Sequence, residues 1–81
     1  MYMRGDFMKE FYKEIHVGTY INGDYTIDTI KPRNSNEYET AIMLTEFGQW
    51  HIVKKDYDKT EAEKTFNKYC NMSQEELDKL I

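Results

Sequence analysis

The fold is decided by residues 18–30, which read GTYINGDYTIDTI. Asn22-Gly23 is the strongest short signal for a β-hairpin, because a type I′ turn needs positive φ at both central residues. β-branched and aromatic residues flank this dipeptide on both sides, as is typical of strands. The stretch therefore predicts one strand over about residues 10–21 and a second over about residues 24–30.

The chain on the C-terminal side of this hairpin repeats the same pattern. Residues 31–36 read KPRNSN, and a proline among small polar residues marks a loop. Alternation then predicts a third strand over 37–46, a turn at Phe47-Gly48 and a fourth strand over 49–55. One side of the third strand carries Tyr38, Thr40, Ile42 and Leu44. Two hairpins in series predict a four-stranded antiparallel meander.

The hydrophobic period changes after Tyr57 from two residues to that of a helix. Asp58 and Thr60 are both candidate N-caps, and each has a glutamate three residues later, which is the spacing of a capping box. The apolar stripe of this longer helix consists of Ala62, Phe66, Tyr69 and Cys70. Ser73 opens a second capping box and predicts a short helix over 74–81. The predicted fold class is α+β, a meander followed by one longer and one short helix.

The size and composition predict a single domain over residues 1–81. The first nine residues hold three methionines, a glycine and mixed charges without a clear period, so we interpret 1–9 as a loose lead-in. The single cysteine excludes an internal disulfide framework and favours a reducing compartment. No apolar stretch approaches the length of a membrane span. We therefore predict a soluble cytoplasmic protein.

Catalytic and metal-binding patterns are sparse in this sequence. The only histidines are His16 and His51, and neither has a second ligand at the short spacing that zinc sites use. Cys70 shares the helix's apolar stripe, so a buried structural thiol is the better interpretation. His51 lies between Trp50 and Ile52 and should point away from both. We predict no catalytic residues, no metal, no cofactor and no enzymatic activity.

The net charge of −4 argues against direct binding to nucleic acid, which needs an excess of Lys and Arg. Between residues 18 and 50 there are five acidic residues against two basic ones. These could form a negative stripe that imitates a phosphate backbone, although a solvated sheet face is the simpler explanation and the one that the charges favour. The predicted partner-binding residues are Asp24, Asp28, Glu37, Glu39 and Glu46, together with the aromatic residues Tyr25 and Tyr38.

Half of the chain resembles a known group of proteins. The strand Glu37-Tyr38-Glu39-Thr40, the Trp50 strand and residues 57–63, which read YDKTEAE, resemble small uncharacterised bacteriophage-encoded accessory proteins. The likeness covers about residues 37–70. Members often carry a histidine where this chain has Phe66, so no histidine-based role carries over. The resemblance implies a phage product that binds a host protein.

These observations favour a non-enzymatic phage-type accessory protein that inhibits or modulates a host protein. The sharpest version is a DNA mimic that occupies the nucleic-acid site of a basic host protein. The alternative is an anti-defence protein that sequesters a small ligand or nucleotide, with Tyr20, Tyr25, Tyr38 and Trp50 stacking a base. A minor enzyme built on Glu37, Glu39 and His51 is the third hypothesis. The exposed edges of a meander would also allow a homodimer.

Overall fold

The computed structural model describes residues 15–46 and 48–81. It confirms the α+β prediction: four strands form one antiparallel sheet in the order β1-β2-β3-β4, and two helices follow. The elements are β1 (Ile15–Asn22), β2 (Tyr25–Lys31), β3 (Tyr38–Leu44), β4 (Trp50–Asp56), α1 (Lys59–Cys70) and α2 (Gln74–Asp78). The predicted lead-in over 1–9, the strand start at 10–14 and the turn residue Phe47 lie outside the described residues.

The first hairpin turn lies one residue later than the Asn-Gly pattern predicts. Asn22 is the last residue of β1 and pairs with Tyr25, so Gly23 and Asp24 are the central residues. Among these two only Gly23 has positive φ, at 63°, which excludes a type I′ turn. Asn22 is thereby released from the turn, and its side chain reaches the helices instead.

The core lies between the helices and one face of the sheet, which we call the covered face. Ile27 and Ile42 are opposite each other on β2 and β3, and both are fully buried. Thr29 and Thr40 form the next pair, and their hydroxyls hydrogen-bond at 2.7 Å, which satisfies both buried groups. Leu77 of α2 joins the same cluster, so both helices contribute to one core.

Two irregularities interrupt the edge strands. The pairing of β1 with β2 skips Val17, and the pairing of β3 with β4 skips Val53, as in a β-bulge. Val53 packs against the core. Beyond this bulge Lys54 and Asp56 lie on the covered face, where Lys54 Nζ donates to Asp56 Oδ1 at 2.7 Å. Asp56 Oδ2 is buried and has no hydrogen-bond partner among the described residues.

The helix starts follow the predicted capping signals. Asp58, rather than Thr60, is the N-cap of α1 and accepts a hydrogen bond from Glu61 N. Ser73 forms the predicted capping box with Glu76. Helix α2 ends at Asp78, so it is shorter than predicted. Within the described residues, no helix is long and apolar enough to cross a membrane.

Polar side chains fasten the first hairpin to the junction of the two helices. Asn22 Nδ2 donates to the carbonyls of Tyr69, Cys70 and Met72, at 3.2, 3.1 and 2.8 Å. Gln74 Nε2 donates to Asn22 O at 3.0 Å, and its Oε1 accepts from Asp24 N at 3.0 Å. We call this group of Asn22 and Gln74 the clasp. It satisfies carbonyls that the end of a helix leaves without partners.

Candidate functional site: the open face of the sheet

The second face of the sheet has no described helix packed on it, and we call it the open face. Side chains alternate along a strand, so the observed register assigns every second residue to this face. Its residues are His16, Thr19, Ile21, Thr26, Asp28, Ile30, Glu39, Ala41, Met43, Trp50, Ile52 and Lys55. The open face is therefore a mixed surface of apolar and charged side chains.

Large apolar side chains are exposed on the open face. Ile21, Trp50 and Ile52 have 63%, 46% and 53% of their surfaces accessible. Trp50 and Ile52 are neighbours on β4, whereas Ile21 lies on β1 at the opposite edge of the sheet. Adjacent exposed apolar residues mark interaction sites more often than scattered single ones do. Trp50 is the only tryptophan in the sequence, and aromatic anchors of this type contribute strongly to protein–protein binding.

A shallow groove of about 230 Å³ lies at the centre of the open face. Its floor is Ala41, the smallest side chain on that part of the sheet. Ile52 lies directly opposite Ala41 on β4, and Asp28 lies opposite it on β2. Ile30, Glu39 and Trp50 complete the lining. Trp50 and Ile52 thus form the β4 side of the groove, Asp28 and Ile30 form the β2 side, and Glu39 lies two residues from Ala41 on the strand of the floor.

The carboxylates of the open face differ in how they are paired. Asp28 Oδ1 lies 2.9 Å from His16 Nε2 and accepts a hydrogen bond from the Thr19 hydroxyl. Glu39 is half-buried. Lys55 lies opposite it on β4 but contacts Glu37 instead, and no described residue gives Glu39 a hydrogen bond or an ion pair. Glu39 is therefore the acceptor in the groove that is open to an external donor.

Glu37 extends the acidic side of the open face beyond the start of β3. Lys55 Nζ lies 3.6 Å from its carboxylate, and the Tyr57 hydroxyl donates to it at 3.0 Å. This hydrogen bond to Glu37, with the adjacent negative charge, raises the pKa of Tyr57. Glu37 is engaged within the protein, in contrast to Glu39.

The predicted partner-binding residues divide between the two faces. Three acidic residues, Asp28, Glu37 and Glu39, lie on or beside the open face. Asp24 and Glu46 are exposed in the turns at one end of the sheet. These five do not form an uninterrupted acidic stripe, because apolar residues separate them.

The two tyrosines of the predicted set lie on the covered face. Tyr25 is 4% exposed, and its hydroxyl donates to Asp78 of α2. That hydrogen bond, with burial and the charge of Asp78, raises the pKa of Tyr25. Tyr38 is half-buried and pairs with Asp56. The ring of Tyr25 belongs to the core, and its contact with a partner stays a prediction.

The aromatic residues expected to stack a base do not converge. The register puts Tyr20, Tyr25 and Tyr38 on the covered face and Trp50 on the open face. A stacking pocket needs rings that face the same space. The sheet itself separates Trp50 from the three tyrosines.

The candidate catalytic groups are also separated by the sheet. His16 lies on the open face, whereas His51 is half-buried on the covered face, opposite Ile42. His51 does point away from Trp50 and Ile52 as predicted, but those two are the exposed residues. Cys70 is half-buried, and burial raises the pKa of its thiol. In the ranges 15–46 and 48–81, no three His, Cys, Asp or Glu side chains are grouped to hold a metal ion.

Sequence reasoning missed the groove over Ala41. Its residues come from three strands, and only the register between those strands brings them together. The sequence does show that Trp50 and Ile52, two residues apart on a strand, lie on the same face of the sheet. It does not show whether the helices cover that face.

Comparisons with known proteins found no match. No family model matches the chain, and neither a curated protein nor a solved structure is similar to it at the significance required.

Proposed function

We propose that this chain is a non-enzymatic binding protein that contacts a host protein through the open face of its sheet. The supporting observation is the pair of neighbouring exposed apolar residues, Trp50 and Ile52, on the face that no described helix covers. Burial of exposed apolar surface is the main source of free energy in protein association. The resemblance to phage accessory proteins suggests a phage-encoded modulator as the biological setting.

The chemistry of the open face favours a mixed apolar and electrostatic contact over imitation of DNA. A phosphate backbone is a regular series of charges, whereas here Asp28 and Glu39 alternate with Ile30, Ala41 and Ile52. In a mixed contact the apolar centre supplies affinity, and the carboxylates select the partner and its orientation. Binding should then decline only modestly as salt increases.

The test is affinity capture with the full-length protein from a bacterial lysate. The wild type is compared with two variants that each add one negative charge to an exposed isoleucine. Ile52→Glu changes the open face, and Ile81→Glu changes the C-terminal residue, which is 49% exposed. Because both sites are about half exposed, both variants should keep the fold.

The expected result is a host protein that is captured by the wild type and by Ile81→Glu but lost with Ile52→Glu. Loss of capture in both variants, or in neither, would count against the open face as the contact surface. Capture that disappears between low and moderate salt would favour the DNA-mimic version instead, since unburied charge contacts are strongly screened.

A further inference from the structure

We infer that the groove over Ala41 receives an arginine side chain of the partner, presented beside apolar residues. This inference rests on the proposed function, because it names the chemistry of the protein that the open face binds. It follows from the carboxylates, the aromatic ring and the small floor residue that the register brings together.

The carboxylates are placed to bind one planar cation. Asp28 lies opposite Ala41, and Glu39 lies two residues from Ala41 on the same strand. They are diagonal neighbours across β2 and β3, about 7–8 Å apart in such a ladder. A guanidinium has five N–H donors in a fixed plane. It can therefore donate to Glu39 and Asp28 at once, where a lysine ammonium is a point charge.

The opposite wall suits the flat face of the same group. Trp50 and Ile52 line the β4 side of the groove, and Ile52 lies across Ala41 from Asp28. Arginine stacks on tryptophan through its planar, weakly hydrated guanidinium. The apolar remainder of this wall fits the methylene stem of arginine and a neighbouring aliphatic side chain. A purely acidic or purely apolar groove would not favour arginine in this way.

Charge argues against the two simplest other occupants. A second copy packed by two-fold symmetry would bring the same patch against itself. Glu39 and Asp28 would then face their own counterparts, because the nearest basic side chains of the open face, Lys55 and His16, already contact Glu37 and Asp28 of the same chain. A nucleic acid would bring phosphates to the same carboxylates, which repel them. A cationic protein segment is the occupant that neutralises this side of the groove.

Binding in the groove can be followed by tryptophan fluorescence, because Trp50 is the only tryptophan in the chain. The probe is an acetylated and amidated hexapeptide of alternating leucine and arginine. Its matched control replaces arginine with citrulline, which keeps the shape of the side chain but removes its charge. Each peptide is titrated against the full-length protein while Trp50 emission and the heat of binding are recorded.

The expected result is that the arginine peptide shifts Trp50 emission and binds at least about tenfold more tightly than the citrulline peptide. Glu39→Gln should weaken the arginine peptide about tenfold. Glu75→Gln removes one exposed carboxylate from α2 and should change nothing. Ala41→Phe fills the floor of the groove and should abolish the emission change without altering any charge.

Several results would overturn the inference. Equal affinity for the two peptides, or an unchanged affinity of Glu39→Gln for the arginine peptide, would show that the groove does not recognise a cation. If a folded Ala41→Phe variant shows the same shift of Trp50 emission as the wild type, the peptide binds outside the groove. Self-association in sedimentation that Ile52→Glu abolishes would make a second copy the occupant. If lysate capture depends on Ile52 but neither peptide binds, the proposed function stands and only the arginine assignment fails.

Discussion

The two faces of this sheet are made from the same strands but have opposite environments. Ile27 and Ile42 on the covered face are fully buried, whereas Ile21 and Ile52 on the open face are more than half exposed. Residue type therefore does not distinguish these positions. Ile27 and Ile42 lie on central strands beneath the helices, whereas Ile21 and Ile52 lie on edge strands of the face that no described helix covers. We expect the covered face to determine stability and the open face to determine recognition. Substitutions on the covered face should therefore change the free energy of unfolding, and substitutions on the open face should change binding.

The largest expected difference is between two isoleucines truncated in the same way. Ile42→Ala leaves a cavity in the core and should lower the free energy of unfolding by about 2–5 kcal/mol. Ile52→Ala removes an exposed side chain and should change it by less than about 1 kcal/mol. Urea unfolding followed by circular dichroism measures both. Similar losses for the two variants would mean that the open face is also covered in the folded protein.

A glycine on the covered face should give the next largest effect. A Cβ at Gly18 would lie 2.8 Å from the ring of Phe66, so Gly18→Ala displaces that ring from the core. We expect a loss of about 1–3 kcal/mol, as in other overpacked cores. Thr19→Ala, one residue along on the open face, is the control and should cost less. The comparison fails if Thr19→Ala destabilises as much as Gly18→Ala.

The smallest expected effect concerns two aspartates. Burial favours the neutral form of Asp56, but its hydrogen bond and ion pair with Lys54, together with the nearby Thr65 hydroxyl, outweigh burial and lower its pKa. Because the pKa of Asp56 is lower in the folded than in the unfolded protein, the ionised carboxylate stabilises the fold at pH values above the unfolded pKa of about 3.9. This stabilisation is lost as the pH falls through the folded-state pKa.

Asp56→Asn should therefore destabilise the protein at pH 7 by about 1 kcal/mol, limited by the exposure of Lys54. The difference in unfolding free energy between Asp56→Asn and the wild type should decrease as the pH is lowered below about 4. Urea midpoints at neutral and acidic pH measure this. Asp28→Asn on the open face is the matched control. An Asp56→Asn effect that grows in acid would contradict the assigned direction.

Local signals were sufficient to predict the elements of the fold. The strand alternation of Tyr38 to Leu44, the N-cap at Asp58 and the capping box at Ser73 each depend on residues within a few positions. The turn was misplaced by one residue because Asn22 is recruited by the helix carbonyls. The bulges at Val17 and Val53 depend on neighbouring strands, which no local pattern encodes.

The candidate site was less accessible to sequence reasoning. The prediction placed Asp28 and Glu39 in one negative stripe with three other carboxylates, and the register puts these two on one face. It could not place Tyr25, because the hydroxyl partner that draws it into the core is Asp78, 53 residues away. The groove over Ala41 likewise needs three strands in register. A binding surface of this kind is formed by residues that strand pairing brings together, so no local sequence motif identifies it.

The clasp has a consequence for the order of folding. Asn22 and the carbonyl of Met72 are 50 residues apart, so we expect their hydrogen bond to form late in folding, because closing a loop of that length has an entropic cost. Interactions that are absent from the transition state act mainly on the unfolding rate. Loss of the Asn22 amide should therefore shorten the lifetime of the folded protein while refolding proceeds at nearly the same rate.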